Sequence, residues 1–181
     1  MNLFGKKKIA QREFVPVVMP HPNGMDAMDD SGAPRKKILV IDDDPVIVKT
    51  LSLTLNAQGY RVLSAADGSE AIGVIQKEDP DMMLVDVGLK PDLGGARLCD
   101  GFQVAQWLQR ANARKIPSII ISGSNKPAYP GKASAVGAGA FLTKPLNNDV
   151  LLEAIERALA QPALPVEGVA TLKMAQGSYV E

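Results

Sequence analysis

Short apolar runs punctuate the middle of the chain: residues 38–41 (ILVI), 82–85 (MMLV), 118–121 (SIII) and 140–142 (AFL), with a weaker one at 60–63 (YRVL). The stronger runs are unbroken rather than alternating. Unbroken runs suit strands buried on both faces, the environment of a parallel sheet sandwiched between helices. Helical spacing fills the intervals: Val48, Leu51 and Leu55 share one face, as do Ala71, Val74 and Ile75, then Val104, Leu108 and Ala111, then Leu151, Ile155 and Leu159. Start signals precede three of these helices. Asp44 stands before Pro45, while Asp67 and Asp100 lie three residues before Glu70 and Gln103, the spacing of a capping box. Strand followed by helix, repeated about five times, implies right-handed crossovers. The predicted fold class is α/β, a doubly wound five-stranded parallel sheet flanked by five helices.

Outside residues 35–160 the pattern dissolves. Residues 1–34 hold four prolines and four methionines with no sustained period, and are expected to form a flexible extension. Residues 161–181, with Pro162, Pro165, Gly168 and Gly177, are expected to be a flexible tail. The 126 residues between them have the size of an ordinary domain. Lysine plus arginine and aspartate plus glutamate number 20 each, so no basic excess points to nucleic acid or an anionic membrane. No apolar run approaches the ~18 residues of a membrane span. A lone cysteine, Cys99, excludes an internal disulfide and a cysteine-based zinc cage, and the N-terminus lacks the apolar core of a signal peptide, so a cytoplasmic setting is expected.

In an open α/β sheet, ligands bind beyond the carboxyl ends of the strands. Here those ends are polar: Asp42, Asp43 and Asp44 after the first run, Asp86 after the third, Ser122 after the fourth, and Thr143, Lys144 and Pro145 after the last. Clustered carboxylates repel, and a hard divalent ion such as Mg²⁺, taken up through one or two carboxylates with waters and phosphate oxygens, relieves that repulsion. A nearby ammonium and hydroxyl match the charged oxygens of a transferring phosphoryl group. Asp86, alone at the end of a central run, is the natural carboxylate nucleophile of such a site.

Residues 37–45 (KILVIDDDP), 80–86 (PDMMLVD), Asp100-Gly101-Phe102, 118–123 (SIIISG) and 137–145 (GAGAFLTKP) occur in an order that resembles the response-regulator receiver domain of two-component signalling. The resemblance covers essentially all of 35–160. Separations of 43 residues from Asp43 to Asp86 and 22 from Ser122 to Lys144 agree with it. It implies a flavodoxin-like receiver fold in which Asp86 accepts phosphate from a phosphohistidine on a sensor histidine kinase or phosphotransfer protein. Asp43 and Asp86 would ligate Mg²⁺ directly, Asp42 through water, and Gly88 through its backbone carbonyl. Lys144 would pair with the phosphoryl group or with Asp86, Ser122 would move to bond a phosphoryl oxygen, and Phe141 would turn inward behind it as the aromatic switch. The surface built by residues 126–159 would report that change to a downstream protein.

Two departures stand out. Fourteen residues separate Asp86 from Asp100, where many receivers use a much shorter turn; the extra ones fall near 89–99 (LKPDLGGARLC) and imply a flap or partner contact. Pro127, Pro130 and Gly131 crowd the fourth helix, which should be short. Simpler roles are expected elsewhere: Asp44 caps a helix, Met82 and Met83 fill the sheet core, Trp107 packs on the third helix and His21 is solvated. Lys6, Lys7 and Lys8 are too few for stable membrane binding.

Competing functions are a haloacid-dehalogenase-like phosphatase, with Asp42 as nucleophile in the string 42–46 (DDDPV), and a receiver-fold adaptor that works without phosphorylation. The phosphatase reading lacks an acidic pair ending a later strand. With no effector fold legible in either flank, the expectation is a stand-alone receiver, monomeric or dimerising on phosphorylation, that binds no nucleic acid and catalyses only its own phosphorylation and dephosphorylation.

Overall fold

The computed structural model describes residues 32–89, 100–111 and 115–160. Strands and helices alternate along it: β1 (Lys37–Ile41), α1 (Pro45–Ala57), β2 (Arg61–Ala65), α2 (Gly68–Glu78), β3 (Met82–Asp86), α3 (Gly101–Ala111), β4 (Ser118–Ser122), α4 (Tyr129–Ala135), β5 (Ala140–Thr143) and α5 (Asn148–Ala160). All five strands run parallel in one sheet, in the order β2-β1-β3-β4-β5. This is the doubly wound arrangement that the alternating pattern predicts. The expected extension and tail lie outside the described residues apart from 32–34, as do His21, Lys6, Lys7, Lys8, Cys99 and residues 90–99 of the insertion. Among the described residues, no helix is long and apolar enough to cross a membrane.

The unbroken apolar runs have a direct structural cause. Successive strand residues point to opposite faces. Leu39, Ile41, Met83, Val85 and Ile120 enter a core shared with Ala71 and Val74 of α2, Val104 and Leu108 of α3 and Ala133 of α4. Ile38, Val40, Met82, Leu84, Ile119 and Ile121 enter a second core against Leu51 and Leu55 of α1 and Leu151 and Ile155 of α5. Every residue of β3 and β4 is buried, since helices cover both sides. A polar residue at any of these positions would lose its water on either face.

Helix boundaries follow local chemistry. The Asp44 carboxylate accepts the Val46 N–H at 2.8 Å, with Pro45 following in the first turn. Asp67 accepts from Glu70 N–H at 2.8 Å and Asp100 from Gln103 N–H at 2.9 Å. The Glu70 carboxylate reaches back to the Ala66 N–H at 2.5 Å, one residue upstream of the capping-box partner that the spacing predicts. The second strand lies at Arg61–Ala65, displaced from the 60–63 run, because the Tyr60 N–H closes α1 on the Leu55 carbonyl beside the left-handed Gly59 (φ +85°). As the prolines predict, α4 is short: seven residues, with Ala128 at its start offering no side-chain cap.

Candidate functional site

Sheet register assembles the site. Ile41 is level with Val85, Asp86 with Ile121, and Ser122 with Thr143. Asp42, Asp86, Ser122 and Lys144 therefore leave the sheet along one edge. The β1 and β3 ends adjoin where strand order reverses, the place where an open sheet leaves a crevice.

Lys144 ties the acids together. Its Nζ lies 2.7 Å from Asp42 Oδ2 and 2.8 Å from Asp86 Oδ1. The second oxygen of each acid accepts a backbone N–H two residues on: Gly88 N–H to Asp86 Oδ2 at 2.6 Å, and Asp44 N–H to Asp42 Oδ1 at 2.9 Å. Each carboxylate is thus fixed by an ammonium on one oxygen and a loop amide on the other. Asp42 and Asp86 are buried, so these charge-assisted bonds form where water competes least. Burial raises the Asp42 pKa, outweighing the lowering by Lys144 and the Asp44 N–H. Burial alone would lower Lys144, but its bonds to Asp42 and Asp86 prevail and hold it above the usual lysine range, so it stays an ammonium.

Asp43, half-buried, completes an acidic set. One ligand oxygen each from Asp42, Asp43 and Asp86 lies within 4.8 Å of the others. Three carboxylates against one ammonium carry a net charge of −2 when all are ionised, and every donor is a hard oxygen. The donor set fits a divalent ion such as Mg²⁺.

Ser122 is buried, and its hydroxyl oxygen accepts the Ser124 N–H at 3.1 Å. That bond is the strand-ending turn role of a serine, and it leaves the hydroxyl hydrogen for another acceptor. Phe141 is half-buried at the margin of the α2–α3–α4 core.

Two features of this region have only faint sequence signals. Gly101 opens α3 against the end of β3: its N–H donates to the Val87 carbonyl at 3.2 Å, and a Cβ placed there would overlap the Asp86 carbonyl oxygen and lie 2.7 Å from its carbonyl carbon. Gly101→Ala must push backbone against backbone and should lose at least about 2 kcal/mol of stability in urea unfolding. The second feature is Tyr129, whose ring meets Phe102 edge-on at 5.2 Å and Phe141 at 6.2 Å. A lone tyrosine between prolines carries no periodic cue.

With this geometry in place, comparison with known proteins is specific. Residues 38–156 match the response regulator receiver domain. The chain belongs to that family. It is 36% identical over 126 residues to response regulator GtcR of Aneurinibacillus migulanus, covering 70% of this chain and 47% of that protein. It is 31% identical over 125 residues to protein PilH of Pseudomonas aeruginosa, covering 68% of this chain and 98% of that one. Among solved structures, the Vibrio cholerae chemotaxis protein CheY4 superposes with a TM-score of 0.58 at 29% identity, over 68% of this chain and 98% of that chain. The chain spans only part of several longer relatives, 47% of GtcR and 27% of the transcriptional regulatory protein GlrR of Escherichia coli. Receivers are the phosphoryl-accepting modules of two-component signalling, acting as signalling proteins rather than turnover enzymes.

Proposed function

We propose that Asp86 is the phosphoacceptor of this receiver, taking its phosphoryl group from a phosphohistidine on a sensor histidine kinase or phosphotransfer protein. The observation that carries this reading is the position of Asp86: at the end of a central strand, bonded to Lys144 and grouped with Asp42 and Asp43. In the step, an Asp86 carboxylate oxygen attacks phosphorus, the P–N bond breaks, and its electron pair leaves with the imidazole. Asp43 and Asp86 would hold Mg²⁺ directly, Asp42 through water, with the Gly88 carbonyl as a further ligand. When bound, the ion supplies positive charge to the phosphoryl oxygens.

The chain's own groups do the rest. Lys144 sits at the reacting carboxylate already charged and stabilises the negative oxygens of the transferring group. The Gly88 N–H holds one oxygen of Asp86 and so orients the other. Ser122, released from its turn, donates its hydroxyl hydrogen to a phosphoryl oxygen, and Phe141 follows inward. The α4, β5 and α5 surface carries the result to a protein target.

Asp42 suits the phosphatase reading poorly. It is fixed by Lys144 and the Asp44 N–H, and the family match over residues 38–156 is to the receiver domain. Labelling the protein with acetyl phosphate and mapping the modified aspartate tests the choice: label at Asp86 is expected, and label at Asp42 would overturn the proposal. Asp43→Asn should weaken Mg²⁺ binding at least about tenfold, read by calorimetric titration, because it removes a charged donor.

A further inference from the structure

Helix α4 has little to hold it. It spans seven residues, carries Pro130 and Gly131 in its first turn and has no side-chain cap; an isolated helix so short is unstable. Its anchors include Ala133, buried in the core, and Tyr129. The Tyr129 ring stands edge-on between Phe102 of α3, at 5.2 Å and 70°, and Phe141 of β5, at 6.2 Å and 76°. The Lys132 ammonium lies 5.7 Å from the Phe102 ring centre and 5.9 Å from that of Tyr129, bracing the pair by cation–π attraction. Phe102 is itself buried, and it directly follows Gly101, which has no free space against the main chain of Asp86. A continuous line of packed groups thus runs from the Asp86 backbone through Gly101, Phe102 and Tyr129 to Phe141. Ser122 is not part of it.

The geometry points to Phe102 and Tyr129 as positioning residues that couple Asp86 to α4 and Phe141 independently of the Ser122 hydroxyl. This rests on Asp86 being the phosphoacceptor. Charge and bulk added to its carboxylate shift the backbone at the end of β3. Gly101 cannot absorb that shift, so the first turn of α3 moves with it and the Phe102 ring re-aims Tyr129. Close-packed interiors pass such displacements on instead of damping them.

Two resonances followed by NMR on the full chain, with Mg²⁺ and beryllofluoride added as the phosphoryl mimic, separate the routes. The Gly88 amide, bonded to Asp86, reports occupancy; the Val136 amide at the end of α4 reports transmission. In Ser122→Ala, with beryllofluoride raised until the Gly88 shift reaches its plateau, Val136 should keep at least about half of its wild-type shift. Adding Phe102→Leu or Tyr129→Leu to Ser122→Ala should cut the Val136 shift at least about threefold with the Gly88 response intact, while adding Tyr129→Phe, which keeps the ring, should preserve it. Loss of the Val136 shift in Ser122→Ala alone, or its survival in both leucine variants, would overturn the coupling while leaving the phosphoacceptor standing. A silent Gly88 in the wild-type protein would overturn both.

Discussion

Asp86→Asn should take up acyl phosphate at least about 100-fold less than the wild-type protein when labelled with acetyl phosphate, because the amide lacks the anionic oxygen that attacks phosphorus. The fold should survive, since asparagine is nearly isosteric and its amide oxygen can still accept the Gly88 N–H that now binds Asp86 Oδ2 at 2.6 Å. Intact-mass spectrometry reads the adduct directly, and circular dichroism confirms that the chain is folded. A residual adduct close to the wild-type amount would place the chemistry on another carboxylate. Asp42→Asn serves as the contrast: it removes a neighbouring charge and leaves the nucleophile, so uptake should slow rather than disappear.

Removing the lysine should produce the second large effect, in two opposing directions. Lys144 is the cation that Asp42 and Asp86 share, and those side chains are 4% and 7% exposed. Lys144→Ala leaves two buried carboxylates facing each other, which should cost about 2 kcal/mol in urea unfolding without added metal, below the usual figure for a broken buried pair because the lysine is partly solvated. Millimolar Mg²⁺ should restore much of that loss, since a ligand bound only by the folded state stabilises it by mass action. With its fixed competitor gone, the acidic set should also bind Mg²⁺ more tightly than in the wild-type protein. Lower stability, higher metal affinity and impaired phosphoryl uptake in one variant would be hard to explain by simple unfolding. Unchanged stability without metal would contradict the shared-cation geometry.

Much of this arrangement was legible in the chain because its cause is local. The runs at 38–41, 82–85 and 119–121 are apolar without interruption since helices cover both faces of the sheet, and each ends on a polar residue where the crevice opens. Asp44, Asp67 and Asp100 announce helix starts through bonds that span two or three residues. The bond between Lys144 and Asp42 joins groups 102 residues apart and depends on strand order, which no local pattern encodes. Gly101 is equally opaque: the collision that forbids a side chain there involves the backbone of Asp86, across a fourteen-residue separation from Asp100. The weak second run was misplaced at its start because Tyr60 finishes α1 through its N–H even though its side chain suits a strand.

The brevity of α4 also bears on how a signal is kept in time. Turns of helix with so few internal bonds open and re-form within microseconds, whereas an acyl phosphate must be made and broken chemically. Under the proposed phosphorylation of Asp86, the α4 surface would therefore sample both of its arrangements many times during the life of a single modification. Phosphorylation would tilt the odds between them instead of locking a door, and a partner that grips the rarer arrangement would pull the unmodified protein partway toward the signalling form.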